Sequence, residues 1–373
     1  MCVILLRIYT MALADIFASF ASKPTRATTN RVVGIDIGSS SMKVVELQNR
    51  DNVLTLTTYG ELELGPYDAE KPVGQSVALP AQIERQALVD ILRESAVKAR
   101  QSVFAMPLAS SFVTVMSLQA TADEDISSRV RVEARKYIPI PIAEVTLDWA
   151  EVETGMIKDA ENTSRDVLLA AIQNEALKRF TTLMQTVEFS SSPIEIECFS
   201  AIRALYTDDQ PDMAIMDVGA ISTKLYIIRN GLLQRMYRVR AGGALFTEKL
   251  AADLKCSFEE AEALKRVITY DHPQFAVAQK SHQVLYGRVL KEFHQVIADY
   301  EQRVGAAVPT IQLIGGGSLF PGFDAFVSTQ LNRQAVLAQP FNKVAYPAFM
   351  EDTMSTIGSS FAVALGAALR YFE

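Results

Sequence analysis

The sequence predicts an α/β protein of two domains, and three observations predict it. A strand-like apolar run twice ends in aspartate, turns through small residues and meets a lysine before a second apolar run. The first copy spans Arg31–Leu47, with Asp36, Gly38, Ser41 and Lys43; the second spans Met213–Ile228, with Asp217, Gly219, Ser222 and Lys224. Both read D-x-G-x-x-x-x-K, with a serine two residues before the lysine. The chain is also long for one core at 373 residues. Finally, short β-rich runs alternate with helical periodicities along its length.

Each copy of the motif reads as a β-hairpin whose turn cradles phosphate. Glycine lets backbone approach a ligand closely, and successive N–H groups in such a turn form an anion-binding nest. Serine adds donors and lysine adds charge. Aspartate would hold the Mg²⁺ that travels with a nucleotide. One copy could be a plain hairpin with a polar tip; two copies, each between β-rich runs, argue for a ligand.

Composition excludes several classes. Hydrophobic residues make up 49% and charged residues 21%, with a formal net charge of −7 and no basic block of the kind that follows a nucleic acid backbone. Cys2, Cys198 and Cys256 lie too far apart for a disulfide framework or zinc site, which fits a reducing compartment. His272, His282 and His294 carry no H-E-x-x-H pattern and read as surface or helix residues rather than metal ligands. No apolar stretch reaches the roughly 18 residues of a membrane span. Residues 1–30 read as a flexible leader, within which Met11–Phe20 could form a short amphipathic helix.

The elements follow in order. After the first hairpin, Val53–Leu64 alternates as a strand and Ala81–Arg100 has helical spacing. Ser102–Met106 is a short strand ended by proline. The pattern then changes, suggesting an inserted α+β module: strand Phe112–Leu118, helix Asp123–Tyr137 stopped by Pro139, and a strand with Val145, Leu147 and Trp149 on one face. A polar loop, Glu153–Arg165, leads to strand Asp166–Ile172 and a helix from Asn174 to about Val187. The module shows no catalytic constellation, so interaction is its expected role.

Strand Pro193–Glu197 and helix Cys198–Tyr206 bring the chain to the second hairpin. Asn230-Gly231 then predicts another tight turn, returning through Leu232–Arg240. A helix follows to about Leu254, and Ser257-Phe258-Glu259-Glu260 is a capping box for the helix Glu259–Thr269. His282–Val304 is a long helix with Val284, Leu285, Val289, Phe293 and Val296 inward. Strand Ile311–Ile314 runs into Gly315-Gly316-Gly317-Ser318, which matches neither a P-loop nor a dinucleotide fingerprint. Phe323–Leu331 and Ser359–Tyr371 are the closing helices.

Two phosphate hairpins and a late glycine turn resemble the actin/Hsp70/sugar-kinase superfamily. Within it the chain resembles the PilM family of type IV pilus assembly proteins, relatives of the cell-division protein FtsA. The stretches that carry the likeness are Gly34–Lys43, Glu133–Pro141 with its Tyr-Ile-Pro-x-Pro, Asp148-Trp149, Gly315–Ser318 and Phe361–Arg370. The resemblance implies an actin-like, RNase H-like two-domain ATPase fold with an inserted 1C (SHS2) subdomain. It implies a leader over residues 1–30, domain I over 31–111 and 191–209, and the inserted subdomain over 112–190. Domain II follows, with IIA over 210–240 and 309–355 and IIB over 241–308, and 356–373 form a closing helix on domain I.

It further implies ATP and Mg²⁺ as ligands. Asp36 and Asp217 would orient the metal, mostly through waters. Gly38, Ser39, Ser40, Ser41 and Lys43 would form the first phosphate loop, and Gly219, Ala220, Ser222 and Thr223 the second. Gly243, Glu262 and Lys265 would meet ribose and adenine, although Glu262 and Lys265 also fit an exposed helical ion pair. Gly315, Gly316 and Gly317 would pass beneath adenosine, and Gly366 would sit at the interdomain hinge.

No catalytic residue is assigned. Such enzymes place a glutamine or acid on the helix before the second hairpin, and counting back from Tyr206 puts that position near Ser200. Slow or negligible hydrolysis follows. The expected function is a cytoplasmic scaffold, peripheral at the inner membrane, that captures the cytoplasmic N-terminal tail of the membrane protein PilN. The alternatives are an FtsA-like division protein, whose extra C-terminal linker and membrane helix this sequence does not show, and a sugar or acid kinase, whose substrate base does not appear.

Overall fold

A computed structural model describes residues 30–68, 71–121, 124–152, 164–187, 189 and 193–373. The leader and nearly all of the polar loop expected from Glu153 lie outside the described residues. In chain order the first strands are β1 (Arg31–Ile37), β2 (Ser41–Arg50), β3 (Val53–Glu63), β4 (Ser102–Met106), β5 (Ser111–Gln119), β6 (Val145–Val152) and β7 (Ser164–Gln173). They continue with β8 (Ile194–Ile196), β9 (Asp212–Val218), β10 (Thr223–Arg229), β11 (Leu232–Val239), β12 (Thr310–Ile314) and β13 (Gln334–Leu337). The early α-helices are α1 (Ala81–Glu94), α2 (Ser127–Ala134), α3 (Asn174–Gln185), α4 (Glu197–Leu205) and α5 (Gly243–Leu254). The later ones are α6 (Phe258–Val267), α7 (Phe275–Val304), α8 (Phe323–Leu331), α9 (Glu351–Ile357) and α10 (Ala362–Arg370).

The duplication seen in the sequence is a duplication of sheets. One five-stranded sheet runs β3-β2-β1-β4-β8 and the other β11-β10-β9-β12-β13, the same order built twice. In each, a hairpin supplies the antiparallel half and parallel strands follow on the far side of its first strand. The central strands are buried on both faces: Val32, Val33 and Ile35 of β1, like Ala214, Ile215 and Met216 of β9, are shut off from solvent. Such runs read as continuous apolar stretches rather than alternations, which is how both hairpins stood out. The third sheet, β5-β7-β6, is the inserted module. Its own core gathers Met116, Val130, Ile138, Val145 and Leu169, with Leu147 and Trp149 packed against it as their spacing predicted.

Helix α10 fixes how the first sheet meets α4. Gly34 of β1 and Gly366 of α10 are both contact points: a Cβ on Gly34 would stand 2.0 Å from the Ala364 carbonyl oxygen, and one on Gly366 would stand 1.8 Å from that of Ser200. Only bare backbone lets the helix lie this close. The N-terminus of α4 is thereby held facing the second sheet.

Several element boundaries differ from expectation. α1 stops at Glu94, and Ala96 takes a left-handed φ of 51° before the chain turns back. α2 is confined to Ser127–Ala134. α7 begins at Phe275 rather than His282, and Val284 is 47% exposed rather than inward. The last helix is a 3₁₀ turn over Gly358–Phe361 before α10 proper. β13 and α9 were not anticipated. The Asn230-Gly231 turn formed as expected, both residues in the left-handed region, and the Ser257–Glu260 capping box is complete in both directions.

Candidate functional site

A cleft of about 550 Å³ opens between the two five-stranded sheets, and both hairpin tips project into it. The two tips close identically. Gly38 N–H donates to the Ser41 carbonyl at 3.0 Å, and Gly219 N–H donates to the Ser222 carbonyl at 3.1 Å. Those amides are therefore used up within the turns. Among the described residues, the amides of Ser39, Ser40, Ala220, Ile221 and Ser222 make no such bond, so they are the donors available to an anion.

The two aspartate–lysine pairs differ where it matters. Asp36 lies opposite Lys43 in register, as Asp217 lies opposite Lys224. Lys224 Nζ bonds Asp217 Oδ2 at 2.9 Å and Glu197 Oε1 at 2.9 Å. Lys43 instead turns to Glu61 at 2.7 Å and to the Ser41 hydroxyl at 2.8 Å. Asp36 is left with no hydrogen bond or ion pair among the described residues. Burial, with Glu197 next, pushes its carboxyl up to about 7 in spite of Lys43 and Lys224. For Lys224 burial opposes the charge, but Asp217 and Glu197 outweigh it and push the ammonium well above its ordinary range.

The structure brings together nearly all the residues the sequence singled out. Asp36, Gly38, Ser39, Ser40, Ser41 and Lys43 line the cleft from one side, and Asp217, Gly219, Ala220 and Ser222 from the other. Gly243, Glu262, Lys265, Gly315, Gly316 and Gly317 complete it. Thr223 is the exception. It is fully buried outside the lining, and its hydroxyl donates to the Ala241 carbonyl at 2.6 Å, tying β10 to the start of α5.

Glu262 and Lys265 are not an exposed surface pair. Glu262 is 4% exposed, pairs with Lys265 at 2.5 Å, and accepts from the Thr247 hydroxyl at 2.6 Å. Burial works against the Glu262 carboxylate, but Lys265, Thr247 and Arg266 together outweigh it and its pKa is lowered. Gly315 adopts φ of 84°, and a Cβ there would strike the Val218 carbonyl at 2.6 Å, whereas one on Gly316 would meet nothing within 4 Å. The glycine turn thus seats itself on β9 at Gly315 and leaves Gly316 open.

Sequence counting misplaced one position and missed others. Ser200 is fully buried, with its hydroxyl on Glu195 at 2.5 Å, and does not reach the cleft. The residue that α4 presents there is Glu197, its first residue, whose Oε1 also accepts from the Leu108 amide at 2.7 Å. The helix starts one residue earlier than its apolar run, which hid the acid at its head. Glu61, Glu63, Arg238 and Arg266 also line the cleft, and no motif marked them. His282 is a buried helix residue, not a surface one. It is 2% exposed with its ring stacked on Phe320 at 4.2 Å, and burial pulls its pKa down to about 3.

Two sheets of one strand order, facing each other across a cleft that both hairpin tips enter, define an actin-like fold. MreB5 of Spiroplasma citri bound to ADP shares it at 11% identity and TM-score 0.52, over 92% of this chain and 96% of that one. Ethanolamine utilization protein EutJ from Carboxydothermus hydrogenoformans is similar at 16% identity and TM-score 0.53, over 98% of each chain. The chain belongs to the family of the type IV pilus assembly protein PilM, whose model matches residues 34–372. The PilM–PilN type IV pilus biogenesis complex contains a similar structure, at 23% identity and TM-score 0.74, over 92% of this chain and 98% of that one.

Proposed function

We propose that this protein binds ATP in the cleft and works as an actin-like scaffold of type IV pilus assembly. The observation that carries the nucleotide reading is the pair of identical hairpin tips, each offering unused amides to the same space. The residues proposed as ligands are those the sequence named, less the side chain of Thr223, with the glycine turn and the Glu262–Lys265 pair at the nucleoside end. The halves of the clamp would be residues 31–209 with 356–373, and residues 210–355, the inserted subdomain being 112–190.

Mg²⁺ fits this site through Asp36. Among the described residues its carboxylate has no partner to displace, whereas Asp217 already holds Lys224. No group of three or more His, Cys, Asp or Glu side chains is placed to hold a metal among the described residues. An ion held by phosphate oxygens, waters and one carboxylate suits Mg²⁺; when bound it would neutralise phosphate charge.

Hydrolysis is proposed to be slow, for a reason different from Ser200. Glu197 is the acid presented to the cleft, but Lys224 and the Leu108 amide hold it. Both contacts fall on the same oxygen, Oε1, so that oxygen is not free to orient an attacking water. Turnover above about 1 s⁻¹ in pure protein would overturn this.

The partner we propose is the cytoplasmic N-terminal tail of a PilN-type inner-membrane protein, with this chain peripheral at the cytoplasmic face. Family membership and the likeness to the PilM–PilN complex support it, and no helix among the described residues is long and apolar enough to cross a membrane. Calorimetry with Mg-ATP, and then with a synthetic tail peptide on ATP-loaded protein, tests both parts. Saturable binding of each is expected, with Asp36→Ala weakening Mg-ATP by about tenfold, the scale of one lost charge-assisted contact. Equal ATP affinity in wild type and variant would overturn the site, and no heat from the peptide would overturn the partner.

A further inference from the structure

Among the described residues, the cations of the cleft are satisfied with one exception. Lys43 pairs with Glu61, Lys224 with Asp217 and Glu197, Lys265 with Glu262, and Arg266 with Glu63 and Glu262. Arg238 lines the same cleft and has no carboxylate, hydroxyl or carbonyl partner among the described residues, while its Nε is shut off from solvent without a hydrogen bond. A half-buried guanidinium with a dry, unpaired N–H is costly unless something brings it an anion.

Its position says which anion. Arg238 of β11 is in register with Lys224 of β10, and residues opposite one another on neighbouring strands share a face. Lys224 in turn reaches Glu197, which holds the Leu108 amide in the segment after β4. Arg238 therefore extends the Asp217–Lys224 row by one strand, onto the edge strand of the second sheet and beside the cations that face the second hairpin. The Glu262–Lys265 pair belongs to a separate group, around Thr247 and Gly243. A guanidinium offers a planar fork of donors that matches a phosphate oxyanion better than an ammonium does.

We infer that Arg238 receives the terminal phosphate oxyanion of the bound nucleotide and is the residue by which the cleft tells a triphosphate from a diphosphate. This rests on the nucleotide reading of the cleft. The same chemistry would accept free orthophosphate beside a bound diphosphate, and the test separates the two sources.

Calorimetry on the full chain would compare Mg-ATP and Mg-ADP for wild type, Arg238→Gln and Arg238→Lys, followed by orthophosphate titrated into ADP-loaded protein. Arg238→Gln is expected to lower the ATP-to-ADP affinity ratio about tenfold while leaving ADP within about twofold, and Arg238→Lys to recover part of the ratio. Orthophosphate heat present in wild type and absent in Arg238→Gln assigns the site to free phosphate as well. No such heat, with the ratio still changed, assigns it to the attached phosphate alone.

Thermal melting without nucleotide separates this from a structural role, because removing an unpaired cation is expected to leave Tm unchanged or raise it. An unchanged ATP-to-ADP ratio in Arg238→Gln, or an equal loss for both nucleotides, overturns the inference while leaving the nucleotide site standing. A wild type that binds neither nucleotide overturns both.

Discussion

His282 is enclosed by Phe246, Phe320, Phe323 and Tyr286, and its Nε2 has no hydrogen-bond partner among the described residues. The cluster is apolar enough to keep the imidazole neutral to about pH 3, while the unfolded chain takes up its proton at an ordinary histidine value. The unfolded state therefore binds more protons below about pH 6.5, and folding free energy falls as pH falls toward the folded-state value. The loss approaches about 1.4 kcal/mol per pH unit. Between pH 7.5 and 5, wild type should lose about 2 kcal/mol more urea-measured stability than His282→Phe, which keeps a ring in the cluster and has nothing to titrate. Parallel pH profiles for the two would show that His282 does not carry the acid sensitivity. At this scale the sequence was informative about residue type and silent about burial. A histidine at the head of an apparent helix reads as exposed until Phe320 and Phe323, from another part of the chain, are brought against it.

The elements that sequence periodicity located well are those with both an apolar pattern and a chemical stop. The second hairpin ends in an Asn-Gly turn and α6 opens with a capping box, and each appeared where expected. The elements it misplaced lack such signals. The first turns of α7 carry no cap and fully bury only the small Ala278 and Ser281, so their apolar spacing begins late. β13 is only four residues long, and it exists because β12 offers it a parallel edge. The crossing of α10 over α4 was legible only as a glycine inside an apolar helix. Geometry supplies the reason, since Gly366 lets backbone touch backbone at Ser200. Gly366→Ala should destabilise the protein by about 2–3 kcal/mol, the usual cost of forcing a methyl into a filled contact. Urea unfolding reads this directly, and a change below about 0.5 kcal/mol, the range of ordinary surface substitutions, would show that the helices slide apart at no cost.

Over the whole molecule, the duplicated architecture and the two hairpin tips of the cleft were readable because both depend on a local motif that occurs twice. What joins the halves was not readable. Arg266 reaches Glu63 from 203 residues away, and Lys224 reaches Glu197 across the inner end of the cleft. The outer pair has one largely open partner, with Arg266 43% exposed, and such pairs contribute little, about 1 kcal/mol or less. The inner pair is different, because Lys224 neutralises Glu197 and Asp217 together in a buried setting. Lys224→Met leaves two carboxylates facing each other without their cation, and about 3–5 kcal/mol of stability should be lost. Adding Glu197→Gln to that variant removes one of the stranded charges and should return part of the loss, so the cycle should show a coupling of about 1–3 kcal/mol. Arg266→Ala paired with Glu63→Ala should show under about 1 kcal/mol. Urea titrations of both cycles would measure this contrast, and equal couplings would mean that the halves are not held chiefly from the inner end of the cleft.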